Sequence, residues 1–180
     1  MKLLLAFFCT LVLPQFAGAT ELVVNGSFED ETSTTENNGN WGYYSTCKYS
    51  GWTFPNGSGG FSKVNTPWIA NQTLPDSGKW VTFLQSSKSG NGGAISQDVT
   101  IPAIAFYELS FYACGRKETQ YHGQQLTVSL DSLVVTNIVV SGSTLKKYTC
   151  QFISNKAGTC QLKFQSESTS DKGSSIDCVS

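Results

Sequence analysis

Past Leu13 the chain lacks any apolar run approaching the roughly 20 residues that cross a bilayer, which excludes a membrane-spanning helix from the rest of it. It has little charge, 14%, with 12 Lys and Arg against 13 Asp and Glu and no basic block, so nothing recommends nucleic acid or an anionic membrane as partner. There is one histidine and no C-x-x-C pair, which argues against a thiolate-type structural metal site. G-x-S-x-G and H-E-x-x-H are both absent, as is an acidic cluster on any one strand. His122 has no visible nucleophile or orienting partner and is expected to be a surface-exposed, noncatalytic histidine. Helical periodicity is missing throughout.

What is present begins with a short charged start, an apolar centre over 3–13 and small residues at Ala17-Gly18-Ala19, the pattern of a secretory signal peptide over residues 1–19. The mature chain, 20–180, is then expected to be secreted and extracellular, a single domain large enough for one core. Losing Lys2 leaves 11 basic against 13 acidic residues, a net charge of −2. No apolar tail follows Ile176-Asp177-Cys178-Val179-Ser180, so no lipid anchor is expected. Of six cysteines Cys9 departs with the signal, and disulfides among Cys47, Cys114, Cys150, Cys160 and Cys178 are expected from the secretory route. One thiol must stay odd, and two bonds among five cysteines allow 15 arrangements, so the expected state is a monomer or a disulfide-linked oligomer.

Short apolar and β-branched runs, bounded by Gly, Pro, Asn and Ser clusters, predict strands over 61–64, 80–85, 94–101, 106–114, 125–131, 134–140, 145–153 and 159–165. Two further short strands are expected, at 22–24 before the Asn25-Gly26 turn and at 51–54, with a polar surface loop over 31–40 between them. Period-two alternation puts Ile95, Gln97, Val99 and Ile101 on one face, Tyr107, Leu109, Phe111 and Ala113 on another, with Glu108, Ser110 and Tyr112 opposite. About ten half-buried strands make an all-β, antiparallel β-sandwich. Residues 145–154 and 159–165 read as a hairpin turning at 155–158. With Phe152 opposite Leu162, Cys150 and Cys160 would be offset by roughly 13 Å, too far to bridge.

Asn25-Gly26-Ser27-Phe28-Glu29, Gly51-Trp52-Thr53, Gly93-Ala94-Ile95-Ser96-Gln97-Asp98-Val99, Tyr107-Glu108-Leu109-Ser110-Phe111 and Ile176-Asp177-Cys178-Val179-Ser180 follow in that order over nearly all of the mature chain. Together they resemble the galactose-binding-like jelly rolls, in particular carbohydrate-binding module families 4, 9 and 22 and the secreted plant cell-wall proteins of domain-of-unknown-function family 642. The resemblance implies a jelly roll and, at Glu29 and Asp177, ligands of one structural calcium ion joining the two chain ends. Cys178 stands where a second aspartate often stands in those modules. The alternative is that Glu29 only accepts backbone hydrogen bonds and Asp177 faces solvent.

Sugars stack their apolar faces on aromatic rings while polar side chains hold the hydroxyls. Trp41, Tyr43, Tyr44 and Trp68 in loop-like segments are the first candidates for such contacts. Tyr112, Arg116, Tyr121 and Gln125 on or after a polar strand face are the second. Trp52 and Trp80 are expected in the core, and Arg116 has Glu118 or Asp98 as an alternative partner. Sequons stand at Asn25, Asn56 and Asn71, with Asn56 and Asn71 the expected glycosylation sites. The function expected is a noncatalytic, lectin-like module recognising a polysaccharide or glycoprotein glycan of the cell wall or extracellular matrix. Its rival is a structural or adhesive protein without specific sugar binding, linked through the odd cysteine. A small glycan hydrolase or lyase, needing two carboxylates within about 10 Å in a groove, is the third reading.

Overall fold

The computed structural model describes residues 20–30, 32–55, 59–85, 92–167 and 172–180, and the backbone but not the side chain of Tyr121. Residues 1–19, where a signal segment is expected, and Asn56 lie outside the described residues. Among the described residues twelve strands run in chain order: β1 (Ser33–Thr34), β2 (Trp41–Tyr43), β3 (Cys47–Lys48), β4 (Gly60–Ser62), β5 (Val81–Leu84), β6 (Ala94–Ile101), β7 (Phe106–Gly115), β8 (Gln124–Leu130), β9 (Leu133–Val140), β10 (Lys146–Ile153), β11 (Gly158–Ser166) and β12 (Ser174–Asp177). Short 3-10 turns at Glu36–Gly39 and Thr119–Tyr121 are the only helical elements among the described residues. A six-stranded sheet ordered β10-β7-β12-β5-β4-β2 faces a four-stranded sheet ordered β6-β11-β8-β9, every pairing antiparallel.

Alternation decides what each long strand contributes to the space between the sheets. Ile95, Val99 and Ile101 of β6 meet Leu109, Phe111 and Ala113 of β7 in one buried cluster with Leu126, Val128, Leu162 and Phe164. Phe111 and Phe164 come from opposite sheets, and their rings meet edge to face at 5.2 Å. Trp52 and Trp80 are buried there too, as expected.

Three expected elements form differently. Residues 22–24 join no ladder, and Val24 is 59% exposed. The Gln97 carboxamide takes the place of a partner strand: Oε1 accepts from the Val24 N–H at 2.8 Å, while Nε2 donates to the carbonyls of Val24 at 2.7 Å and Gly51 at 2.8 Å. The expected strand at 51–54 shrinks to one antiparallel bridge, Thr53 to Ser96. The expected 145–165 hairpin does not form, because β10 pairs with β7 in one sheet while β11 pairs with β6 and β8 in the other. Ser154 anchors the crossing, its N–H and hydroxyl donating to the carbonyls of Ala105 and Ala103. Cys150 and Cys160 are both free thiols, but they stand on different sheets and not on one hairpin.

The chain ends meet through backbone. The turn at Asn25 has φ 49°, its carbonyl accepts from Phe28 N–H, and its side-chain Nδ2 donates to Ser50 O at 2.9 Å. That amide is committed to local structure, whereas Asn71 is exposed. Val179 N–H donates to Gly26 O at 2.9 Å, and a Cβ added at Gly26 would collide with the Val179 carbonyl. Gly26→Ala should therefore lower unfolding free energy by about 1–3 kcal/mol, the usual cost of forced overpacking, measured by urea denaturation.

Candidate functional site

The side chains of the six-stranded sheet that point away from the core make the candidate site. Ser110, Tyr112 and Cys114 of β7 point outward, as do Ser175 and Asp177 of β12, Val81 and Phe83 of β5, and Trp41 and Tyr43 of β2. The segment over 64–79 folds down on the middle of this face, where Trp68, Ile69 and Leu74 pack on Val81, Phe83 and Cys114 in a second apolar cluster. Buried Thr66 shapes the segment: its hydroxyl accepts from the N–H groups of Trp68 and Ile69 and shares a 2.6 Å hydrogen bond with Ser62 Oγ. Trp68 stacks parallel on Phe83 at 4.5 Å, with the Arg116 guanidinium 4.3 Å from its ring centroid. Only Gly60 and Ser175 flank Phe83 across the strands, so nothing bulky lifts the indole off the sheet. Trp68 is 7% exposed, so the residue expected to be an open platform is a buried anchor.

Four of the eight sugar-contact candidates assemble here. Trp41 meets Trp68 at 5.6 Å and Tyr43 at 5.9 Å, both edge to face, and Tyr43 also reaches Phe83 at 6.0 Å. Trp41 is half-buried and Tyr43 is 37% exposed, so solvent reaches these two rings while Trp68 and Phe83 brace them. Far from being loop residues, they form β2, and the preceding polar segment folds into the Glu36–Gly39 turn, where Glu36 Oε2 accepts from the Tyr43 N–H at 3.1 Å. Arg116 pairs with Glu118 at 3.2 Å.

Tyr112 lies on the same face but across four strand spacings from β2, roughly 19 Å away. It lines a shallow open groove with Glu21, Ser110, Lys147, Cys178 and Ser180. Tyr44 points elsewhere and packs on Phe54 at 6.0 Å against the main core. Gln125 sits exposed on β8 of the four-stranded sheet, away from the aromatic group. The Tyr121 side chain lies outside the described residues. His122 is half-buried, not surface-exposed, with Nε2 2.9 Å from Arg116 O.

Between the aromatic group and the Tyr112 groove, carboxylates converge. Glu29 Oε1 accepts from the N–H groups of Lys79 and Trp80, each at 2.7 Å. Asp177 is fully buried rather than solvent-facing; burial, with Asp76 and Glu29 adding negative charge, pushes its carboxyl up to about 8. Its Oδ1 accepts from the Cys178 N–H at 2.8 Å, and Oδ2 has no hydrogen-bond partner. The ligand atoms of Asp76, Asp177 and Cys178 lie within 4.8 Å of one another. Burial and the neighbouring Asp177 and Asp76 push the Cys178 thiol up to about 12. The orphaned Asp177 oxygen fits a cation; the side chains of Asp76, Asp177 and Cys178 offer it two carboxylates and a thiol, whereas calcium takes six to eight oxygens and no sulfur. Asp76 and Asp177 meet the distance a glycan hydrolase would need, yet Asp177 exposes no atom to a substrate. Asp76, in the Pro75-Asp76-Ser77-Gly78 turn, carried no sequence signal beyond that of a turn.

Cys47, Cys114, Cys150, Cys160 and Cys178, the expected disulfide partners, stand as free thiols. Cys114 and Cys160 are buried and the other three half-buried, with Cys178 on the open groove beside Tyr112.

No family model matches the chain, and no curated protein does. Solved structures do. The chain superposes on the TmCBM61 module, solved with β-1,4-galactotriose, at TM-score 0.54 and 14% identity, covering 89% of this chain and 97% of that one. The fold is the jelly roll of the carbohydrate-binding modules. The xylan-binding CBM22-1 domain of Xyn10C from Paenibacillus barcinonensis matches at TM-score 0.53 and 16% identity, over 86% of this chain and 88% of that one. A family 16 carbohydrate-binding module matches at TM-score 0.51 and 15% identity, over 89% and 98%. With this jelly roll the galactose-binding-like resemblance holds for the architecture, and the long antiparallel strands carry it. Among the described residues no helix is long and apolar enough to cross a membrane.

Proposed function

We propose that the protein is a secreted, noncatalytic carbohydrate-binding module whose outer sheet face receives a cell-wall or matrix glycan on Trp41 and Tyr43. The observation that supports this reading most is the pair of solvent-reached rings on β2, braced from beneath by the Trp68–Phe83 stack. Rigid aromatic surface at low conformational cost is what stacking on a sugar ring needs, and a braced ring loses little freedom on binding. Tyr112 and Lys147 on the same face supply a second point of contact for a longer chain. The jelly rolls it resembles include a module solved with β-1,4-galactotriose and a xylan-binding domain, so β-linked galactan and xylan belong in the first screen.

The test is a polysaccharide and glycan-array screen with the mature protein, followed by titration calorimetry on the best ligand. Tyr43→Ala and Trp41→Ala should each weaken binding by roughly 5- to 30-fold, in the range of an aromatic hot spot. Gln125→Ala should leave affinity within about twofold, because β8 lies in the other sheet. Absence of binding to any glycan at millimolar concentration, or full affinity in both aromatic variants, would remove the proposal.

A further inference from the structure

The carboxylate–thiol cluster on β12 has a chemistry of its own. Asp177 has none of its surface exposed and one carboxylate oxygen, Oδ2, without a partner. A buried polar oxygen without a hydrogen-bond partner costs free energy that a ligand can recover. Two further potential ligands face it: Asp76 from the turn over 74–77 and Cys178, all three ligand atoms within 4.8 Å. Asp76 is exposed, so solvent and a dissolved ion reach the cluster from that side. The surrounding backbone is already arranged around the acids, with Gly78 N–H on Asp76 Oδ1 at 2.8 Å and Cys178 N–H on Asp177 Oδ1 at 2.8 Å. These bonds orient the two carboxylates and leave one oxygen of each for another ligand.

We propose that Asp76, Asp177 and Cys178 bind one borderline divalent cation of the zinc type, with water completing a tetrahedral set. Three protein ligands of mixed oxygen and sulfur character, plus one open position, match the number and softness that zinc takes. Calcium is a hard ion that takes oxygen ligands, so the Cys178 thiol has no place in its shell. Binding forms metal–sulfur and metal–carboxylate bonds, the Cys178 S–H proton and the proton that burial holds on Asp177 both leave to solvent, and no oxidation state changes. The ion would cross-link the segment carrying Trp68 to the last strand, since Asp76 and Trp68 belong to the same 64–79 stretch. It would thereby tie the brace of the aromatic face to β12. This inference stands on the cluster alone and does not depend on glycan binding.

Cobalt(II) titrated into the mature, reduced, metal-free protein tests it. Expected are one equivalent bound, a thiolate-to-cobalt charge-transfer band in the near ultraviolet, tetrahedral visible bands, and loss of both when zinc is added. Cys178→Ser should abolish the charge-transfer band and weaken zinc at least tenfold, and Asp76→Asn should weaken zinc while keeping the band. Both are conservative changes at a half-buried and an exposed position, so the fold, checked by circular dichroism, persists. A charge-transfer band that survives Cys178→Ser would overturn the proposal by assigning the thiolate to another cysteine. Tighter binding of calcium than of zinc, or no metal bound at all, would overturn it equally.

Discussion

Gln97→Leu lowers the unfolding free energy by about 3 kcal/mol, even though it replaces a buried polar residue with an apolar one of similar size. Only where both partners of a buried hydrogen bond are replaced by apolar groups is such an exchange nearly neutral. Here the partners are backbone groups that cannot be removed: the N–H and C=O of Val24 and the C=O of Gly51. Each lost bond costs about 1 kcal/mol. For a domain of this size the melting temperature should fall by roughly 6–12 °C in a thermal scan. Gln97→Glu is the informative companion, since it keeps the acceptor for Val24 N–H but places a second oxygen against two carbonyls. It should be at least as destabilising as the leucine variant. Wild-type stability in either variant would mean that residues 22–24 are held by their own apolar contacts, not by the carboxamide.

In chelator, wild-type stability should decline as pH rises from about 4 to about 8, and Asp177→Asn should remove much of that decline. The folded-state value of Asp177 is raised, from an ordinary 3.8 to about 8, chiefly by burial and then by Asp76. A carboxyl raised in this way is held protonated by the fold. Its contribution is complete below the unfolded value and is lost as pH climbs through the folded one, over the window between them. The loss is on the order of a few kcal/mol, large against a domain stability of about 5–15 kcal/mol. Asparagine cannot ionise, and its amide can donate toward Asp76, so the variant should melt higher than wild type at pH 8 and no higher at pH 4. Equal pH slopes for the two proteins, measured by urea denaturation at several pH values, would contradict the buried ionisation.

Both results bear on how the jelly roll closes its ends. The opening and closing motifs meet through the Gly26–Val179 hydrogen bond and the turn at Asn25, and buried Asp177 lies alongside, facing exposed Asp76 of the 64–79 segment. Glu29 serves as a backbone acceptor for Lys79 and Trp80, holding the start of β5 in position. The motif that the sequence marks most clearly is therefore framework. The aromatic face depends on a segment with no recognisable pattern at all.

Alternation along one strand reports which side chains share a face, and for β6, β7, β8 and β11 it reported correctly: Ile95, Phe111, Val128 and Phe164 are all buried in one core. It carries no information on which strand lies alongside. That is why the 145–165 region reads as a hairpin although its halves pair in different sheets, with β10 on β7 and β11 on β6. Short strands leave even less trace. β2 and β12 have three and four residues, too few for a period to be read, yet β12 is central to the six-stranded sheet and β2 carries the exposed rings.

The candidate site was half legible for the same reason. Trp41, Tyr43, Trp68 and Arg116 could be named from aromatic and basic residues in polar surroundings, but their roles could not. Trp68 turns inward because small residues flank Phe83 and open a flat floor for its indole, and Tyr44 turns to the opposite side because neighbouring side chains of a strand alternate.

The sequence by itself determined an all-β sandwich, the faces of its long strands, the turn at Asn25 and the burial of Trp52 and Trp80, since each follows from local stereochemistry and hydrophobic period. Only the tertiary structure decided which strands pair, which aromatics stay open to solvent, and that Asp76 meets Asp177 and Cys178. Those contacts join residues up to about a hundred positions apart, and their geometry is set by how two sheets and one covering segment pack, which no local pattern records.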